Sequence, residues 1–579
     1  MSPLAPPSAQ LLACVVVPAR DEESRVAACL TSLADQHGLD AAAYEVILVL
    51  DGCRDATEQR ALQAAAAHPG LALRLRHVST HSAGAARRVG MDLACARLLA
   101  LDRPEGLIAS TDADTVVASD WLERQLAAMA LGAGAVGGRI ELSGDEQAAL
   151  APEVLADRGA SLRRRRARAR ADAPAATRTL RVDHGQFSGA SMGVAAGLYA
   201  ELGGLEPSRA LEDEALERAL VDRGVAIARP ADVRVTTSAR TGGRAPRGLA
   251  ADLAVGHWHA RRSYRADDYS LGALLSTKQE RVCVILPARE VAGTIATILQ
   301  RLDGPRARGL IDELVVVDAD SSDGTAELAR AAGARVVSES EPRADHGPCR
   351  GKGDALWRAL SVTGGEVVAF LDADTADFDV RFLLGLLGPL LSHPELRLVK
   401  GAFRRPLRVG AGVVPDGGGR VTELLARPTI NLLFPLLAGF HQPLAGEIAA
   451  RRDLLEQLPF PVGYGVELAM LVDAERLVGL DALAQVDLGT RQNRHQPLLA
   501  LGAMAYAILV AAERRRPSDA GGVQTPPTTL TLASAAGLDP REVAVEERPP
   551  LASLRAPVLA TRPGPRPTLS PWRSPRPVG

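Results

Sequence analysis

Two pairs of aspartates carry the most chemistry in this sequence: Asp112 with Asp114, and Asp372 with Asp374, each pair split by one alanine and each closing an apolar run. In a strand, residues i and i+2 face the same side, so both carboxylates of a pair can address one cation. Mg²⁺ or Mn²⁺ takes oxygen ligands from one or two carboxylates plus substrate phosphates, and the cation neutralises a departing nucleoside diphosphate. A single such pair reads more readily as a strand end capped by turn-forming aspartate. Two copies argue for the metal, because each lies downstream of another strand-ending aspartate, Asp51 or Asp318. A carboxylate at that edge would otherwise be unpaired, so Asp318 is placed to accept a hydrogen bond from a base N–H. Asp55 with Thr57, and Asp323 with Thr325, read instead as helix N-cap regions with a structural role. Lysine occurs only at positions 278, 352 and 400. Lys352, between two glycines in PCRGKGDA, suits a diphosphate or sugar contact, against the alternative of a solvated lysine. The run Gly417-Gly418-Gly419-Arg420-Val421-Thr422 offers permissive backbone, N–H donors, a guanidinium and a hydroxyl, the equipment for a phosphate or carboxylate. Otherwise it is a surface glycine turn.

These residues recur because the chain repeats one plan. CVVVPARDEE, VILVLDGCRDAT and IASTDADT in the first half answer to CVILPAREVAGT, LVVVDADSSDGT and AFLDADT in the second, at offsets of 269, 267 and 260 residues. Short Val/Ile/Leu runs alternate with stretches of helical period, such as SRVAACLTSLAD and DGTAELARAAGA, which predicts βαβ units and a mostly parallel buried sheet. Ligands of such sheets bind beyond the carboxyl ends of the strands, where all three polar motifs lie. A chain of 579 residues, 47% hydrophobic and 23% charged, is a globular protein of about two to four domains, not a disordered or fibrous one. With 67 basic and 69 acidic side chains, no global field favours nucleic acid. The six cysteines show no CxxC spacing, so neither zinc nor a disulfide framework is indicated, and a reduced cytoplasm fits. The N-terminus lacks the basic region of a signal peptide. The longest apolar run, Leu498 to Ala512, falls short of the ~20 residues a membrane helix needs and is expected as a buried helix. The arginine run SLRRRRARARA (161 to 171) reads as a solvated helix face, with an anionic acceptor or membrane surface as the alternative. Domains are expected at 1–270 and 281–515, joined by a linker at 271–280, with a Pro/Arg-rich disordered tail at 516–579.

Both halves resemble GT-A-fold glycosyltransferases, on PAR-E, VVVDADSSDGT and LDADT and their first-half counterparts. The resemblance implies an α/β fold of two tandem Rossmann-like nucleotide-diphospho-sugar transferase domains, with sugar-nucleotide contacts at Pro18, Asp51 and Asp112 and at Pro287, Ala288, Asp318, Lys352 and Asp372. It implies a metal on Asp114 and on Asp374. Residues 281 to about 515 resemble glucosyl-3-phosphoglycerate synthases more closely, through GKGDALWRAL, LRLVKGAFRRPL, GGGRVTELLARP and QPLAGEIAARRDLLEQLPFPVGYGVELAML. That implies transfer of glucose from UDP-glucose or GDP-glucose to the 2-hydroxyl of 3-phosphoglycerate with retention, Mg²⁺ or Mn²⁺ as cofactor, and a homodimer. Gly419, Arg420 and Thr422 would then meet the acceptor, and Glu467 the transferred sugar. In RQNRHQP this chain has Asn493 where the family has a metal-binding His and His495 where it has an acceptor-binding Asn, so His495 is carried as a metal or acceptor contact. Val291 and Ala319 also depart from the family pattern. The first half looks like an inverting family-2-type transferase, with HSAGAARRVGMDLA at the diphosphate and GASMGVAAGLYAELGGL on the acceptor side. Inversion needs one base, for which LEDEALERAL supplies Asp213 first and Glu212 second.

Overall fold

The computed structural model describes residues 4–173, 180–206, 211–243, 247–409, 412–414, 417–491, 500–517, 526–534 and 537–554. The chain divides into two compact units, one formed by residues 1–263 with 430–440 and the other by 264–429 with 441–579.

In the first unit a seven-stranded sheet runs in the order Leu73–Val78, Tyr44–Asp51, Ala13–Ala19, Leu107–Ser110, Met192–Ala195, Ala135–Gly137 and Ile227–Ala228. All neighbours are parallel except Met192–Ala195, which is antiparallel to both of its partners. The alternation of side chains along a strand feeds two cores. Val15, Val17, Val46 and Leu48 pack with Val26, Leu30 and Leu33 of the helix Val26–Ala34. Cys14, Val16, Ile47 and Val49 face the other way, onto Ala86, Met91 and Leu98 of the helix Ala83–Leu99. Each such valine or leucine contributes about 1.5–3 kcal/mol by leaving water, so a strand buried on both faces is strongly specified in register.

In the second unit the corresponding strands run Arg335–Ser338, Glu313–Asp318, Val282–Ala288, Val367–Phe370, Ile448–Arg451, Leu398–Arg404 and Leu483–Thr490, with the short Ser263–Arg265 at the far edge. Again one inner strand, Ile448–Arg451, is antiparallel to both neighbours. The repeat expected from the sequence is therefore a repeat of topology. It extends to the loops. Thr57 Oγ1 accepts from the Glu22 amide at 2.7 Å and Asp55 Oδ2 from the Glu23 amide at 3.1 Å. Thr325 and Asp323 do the same for Val291 and Ala292, at 2.9 Å each. Asp21 and Glu290, one residue before, both have φ near +50°.

The structure moves two of the expected boundaries. The first unit closes at Ser263 rather than 270 and takes in Ile430–Phe440, whose Phe440 ring lies 4.4 Å from that of the buried Trp258. Of the expected disordered tail, residues 526–534 and 537–554 are structured: a hairpin of Thr529–Ser534 with Gly537–Glu542, then Glu547–Arg548 paired antiparallel to Phe460–Pro461. Its charges are neutralised locally, Arg548 by the fully buried Asp354 and Glu547 by Arg515, which also binds Asp473. The helix Ala500–Arg514 buries Ala507, Ile508, Val510, Ala511 and Ala512, and among the described residues no helix is long and apolar enough to cross a membrane. The arginine run forms the helix Pro152–Ala171, with Arg163, Arg164, Arg165, Arg166, Arg168 and Arg170 all exposed.

Candidate active site

In the second unit the strand ends and two helix starts converge on Asp372. Lys352 is the first residue of the helix Lys352–Val362, and Glu467 the second of Val466–Val478. The Lys352 ammonium donates to Asp372 Oδ1 at 2.7 Å and lies 2.8 Å from Glu467 Oε1. The two glycines around it have a steric purpose. A Cβ on Gly353 would meet the Pro461 carbonyl oxygen at 1.9 Å, and one on Gly351, at φ +130°, the Val462 carbonyl oxygen at 3.1 Å. Backbone thus approaches backbone, bringing the segment that carries Glu467 onto Lys352. Gly446 leaves similar room, since its Cβ would lie 2.3 Å from Asp372 Oδ1 and 2.5 Å from Lys352 Nζ.

Arg491 closes the other side. Fully buried over the Phe403 ring, it binds Glu447, reaches Asp372 Oδ2 at 3.2 Å and Thr375 Oγ1 at 2.7 Å, and stands 3.5 Å from Asp374. Burial alone would raise the Asp372 carboxyl, but Lys352 and then Arg491 hold it well below the usual carboxylate range. Asp374, in contrast, keeps a side chain 59% exposed. Asp318 ends its strand buried, with Oδ2 accepting from the Ser321 amide at 3.0 Å and Oδ1 without a partner. Pro287 and Ala288 lie beside it in register with Val317 and Asp318. Gly419 (φ +72°), Arg420 and the buried Thr422 open a helical segment, and the Gly418 amide donates to the Arg405 carbonyl at 2.8 Å. Arg405 stacks over Phe403 and its Nε has no partner. Asn493 and His495 lie outside the described residues.

Behind the site, Lys400 is buried and donates to the Ala445 carbonyl at 2.8 Å. Burial pushes its ammonium down to about 8, against the restoring charge of Glu467. The unfolded chain therefore holds more protons between about pH 8 and 10.4, and folding gains from this residue as pH rises through that window. The melting temperature of the parent protein should rise relative to Lys400→Met between pH 8 and 10, and parallel profiles would show that Lys400 does not titrate there.

The first unit builds the same figure with an arginine. Arg87, buried in the helix Ala83–Leu99, donates to Glu212 Oε1 at 2.9 Å, Asp112 Oδ1 at 2.6 Å, Ser110 Oγ at 2.5 Å and the Gly189 carbonyl at 3.0 Å. It pairs with Asp112 and Glu212 as Lys352 pairs with Asp372 and Glu467. Glu212 is thus an ion-pair partner, leaving Asp213, whose Oδ2 accepts from the Gly189 amide at 2.9 Å. Asp114 is held by Arg240 at 2.9 Å with its side chain only 13% exposed. Burial, with Asp112 beside it, pushes its carboxyl up to about 6. Asp51 accepts from the amides of Thr80, His81 and Ser82 at 2.6–3.0 Å. Pro18, the penultimate residue of the neighbouring strand, is in register with Val49.

The glycosyl transferase family 2 model matches residues 14–189 and 283–395, one stretch in each unit. The glucosyl-3-phosphoglycerate synthase of Mycolicibacterium smegmatis is 41% identical over 305 residues, covering 52% of this chain and 99% of that protein. The chain belongs to the glucosyl-3-phosphoglycerate synthase family. The Mycobacterium tuberculosis synthase is 40% identical over 325 residues, 54% of this chain and 96% of its own. Among solved structures, mannosyl-3-phosphoglycerate synthase from Rubrobacter xylanophilus shares 44% identity at a TM-score of 0.48, covering 52% of this chain and 98% of that one. The M. tuberculosis synthase in complex with Mn²⁺ and UDP-glucose shares 39% at 0.45, covering 50% and 96%. As a synthase-family member the chain is a glycosyltransferase, a hexosyltransferase by class, and its fold is α/β with GT-A-type sheets.

The family motifs drew attention to Lys352, Asp372 and Glu467, and the structure brings these three together. They did not mark Arg87, Arg240, Glu447, Arg491 or Arg405. An arginine in a chain so rich in arginine carries no signal of its own, so Arg87 in HSAGAARRVGMDLA, Arg405 in LRLVKGAFRRPL and Arg491 in RQNRHQP were not singled out within the quoted segments, nor was Glu447 in QPLAGEIAAR.

Proposed function

We propose that the second unit transfers glucose from UDP-glucose or GDP-glucose to the 2-hydroxyl of 3-phosphoglycerate with retention, in the cytoplasm. The observation that carries it is the Lys352 ammonium held between Asp372 and Glu467 at the carboxyl edge of a synthase-family sheet. The unpartnered Asp318 Oδ1 supports a base N–H contact there, and the six free cysteines fit a reduced compartment. In this reading Glu467 takes the sugar hydroxyls and Lys352 the donor's diphosphate. Gly419, Arg420 and Thr422, with Arg405 beside them, take the acceptor's phosphate and carboxylate. The bond from C1 to the diphosphate oxygen breaks, the acceptor oxygen joins C1 on the vacated face, and the hydroxyl proton leaves with the departing diphosphate.

A divalent cation fits at Asp374, whose exposed hard-oxygen donor is met only at 3.5 Å by Arg491. Bound there, it would supply charge to the leaving diphosphate. The residues of the first unit fit a cation less well, because Arg240 already holds Asp114 and Arg87 holds Asp112, and no metal step is assigned there. We read the first unit as an inverting sugar transferase with Asp213 as base, which makes the chain bifunctional. Release of nucleoside diphosphate by the full chain, with and without 3-phosphoglycerate, tests the reading. Release should require acceptor, give the mass of glucosylphosphoglycerate and fall by about 10²-fold or more in Asp374→Ala. Acceptor-independent release, or turnover unchanged in that variant, would move the activity elsewhere.

A further inference from the structure

We propose that the segment Glu546–Pro549 is a staple that sets the Lys352–Glu467 pair, with Arg548 as its positioning residue. Arg548 donates from Nη2 to Asp354 Oδ2 at 2.5 Å and from Nε to Asp354 Oδ1 at 2.9 Å. Asp354 is fully buried in the first turn of the helix that Lys352 opens, and it also holds Arg358 at 2.9 Å and the Arg350 amide at 3.1 Å. Next to it, the Trp357 indole donates to the Pro549 carbonyl at 2.8 Å. The same segment grips the other side of the pair. Glu547–Arg548 forms a two-residue ladder with Phe460–Pro461, and the Val462 amide donates to the Glu546 carbonyl at 3.0 Å.

Val462 joins the two sides. Its carbonyl accepts from the Asp354 amide at 3.1 Å, and five residues on comes Glu467. The staple therefore holds two pieces of chain, the start of one helix and the approach to another, whose charged ends meet at 2.8 Å. None of its residues touches Asp372 or Glu467, so its effect runs through position alone. A misplacement of about 1 Å at such a site costs about 10²-fold in rate.

The test uses the full chain, as Arg548→Ala and the charge-keeping Arg548→Lys. This inference rests on the proposed transfer reaction only for its turnover readout. Amide hydrogen exchange and UDP titration read the staple without it. For Arg548→Ala we expect exchange at Lys352–Asp354 and Val462–Glu467 to speed at least tenfold while Val282–Leu286 stay as in the parent. UDP affinity should fall at least threefold, and kcat at least tenfold with a smaller change in KM for 3-phosphoglycerate. Arg548→Lys should fall between, and it decides the matter if Arg548→Ala does not fold. If exchange speeds only at 546–549 and UDP affinity is that of the parent, the staple is overturned. A parent protein that binds UDP but transfers nothing to 3-phosphoglycerate would overturn the reaction and leave the staple to be judged on exchange and binding.

Discussion

Lys352→Met should reduce turnover by about 10²–10³-fold, the loss met when one preorganised donor is removed from a site of developing negative charge. The variant keeps the length and packing of the side chain and removes the ammonium between Asp372 and Glu467. Two carboxylates then face each other, with only Arg491 against Asp372 and the buried Lys400 behind them to offset the charge. The donor's diphosphate would add more negative charge to the same edge, so the sugar nucleotide should also bind more weakly. Initial rates at saturating and limiting UDP-glucose separate the two effects. A variant that turns over like the parent would mean that Lys352 serves only the fold.

Arg491→Met should strongly destabilise the second unit. Its guanidinium is fully buried, and so is Glu447 with a side chain 2% exposed. Removing one partner of such a pair costs about 3–5 kcal/mol, because the other charge stays behind without water. For a unit of this size that is a fall in melting temperature of about 10 °C. Burial already raises the Glu447 carboxyl against the pull of Arg491. Without the arginine it rises further, so the variant should recover part of its deficit as pH falls towards 5 and Glu447 takes up a proton. Thermal scans of parent and variant from pH 5 to 8 check this, and a deficit that stays constant across the range would show that Glu447 is compensated elsewhere.

Much of this fold was legible because strands buried on both faces spell themselves out. CVVVPA and CVILPA became Ala13–Ala19 and Val282–Ala288, and the aspartates at strand ends stand at the ligand edge. The site was legible only in its carboxylates and its rare lysine. Arg87 does in the first unit what Lys352 does in the second, yet one arginine in RRVG looks like any other until the fold brings Asp112 and Glu212 to it. The segment around Arg548 was hidden for a related reason. Proline and arginine signal an unburied chain, and only a buried aspartate almost two hundred residues earlier reverses that.

The excursion Ile430–Phe440 has a consequence for how the protein is made. Trp258 keeps its cover only once Phe440 and Gly439 arrive, and a Cβ on Gly439 would sit 2.8 Å from the indole. At about 5–20 residues per second of synthesis, the first unit waits roughly 10 to 40 s after its last sheet strand has been made before its final piece exists. Through that interval a large aromatic face stays open to chaperones. Expressing residues 1–270 alone would prolong the interval without end.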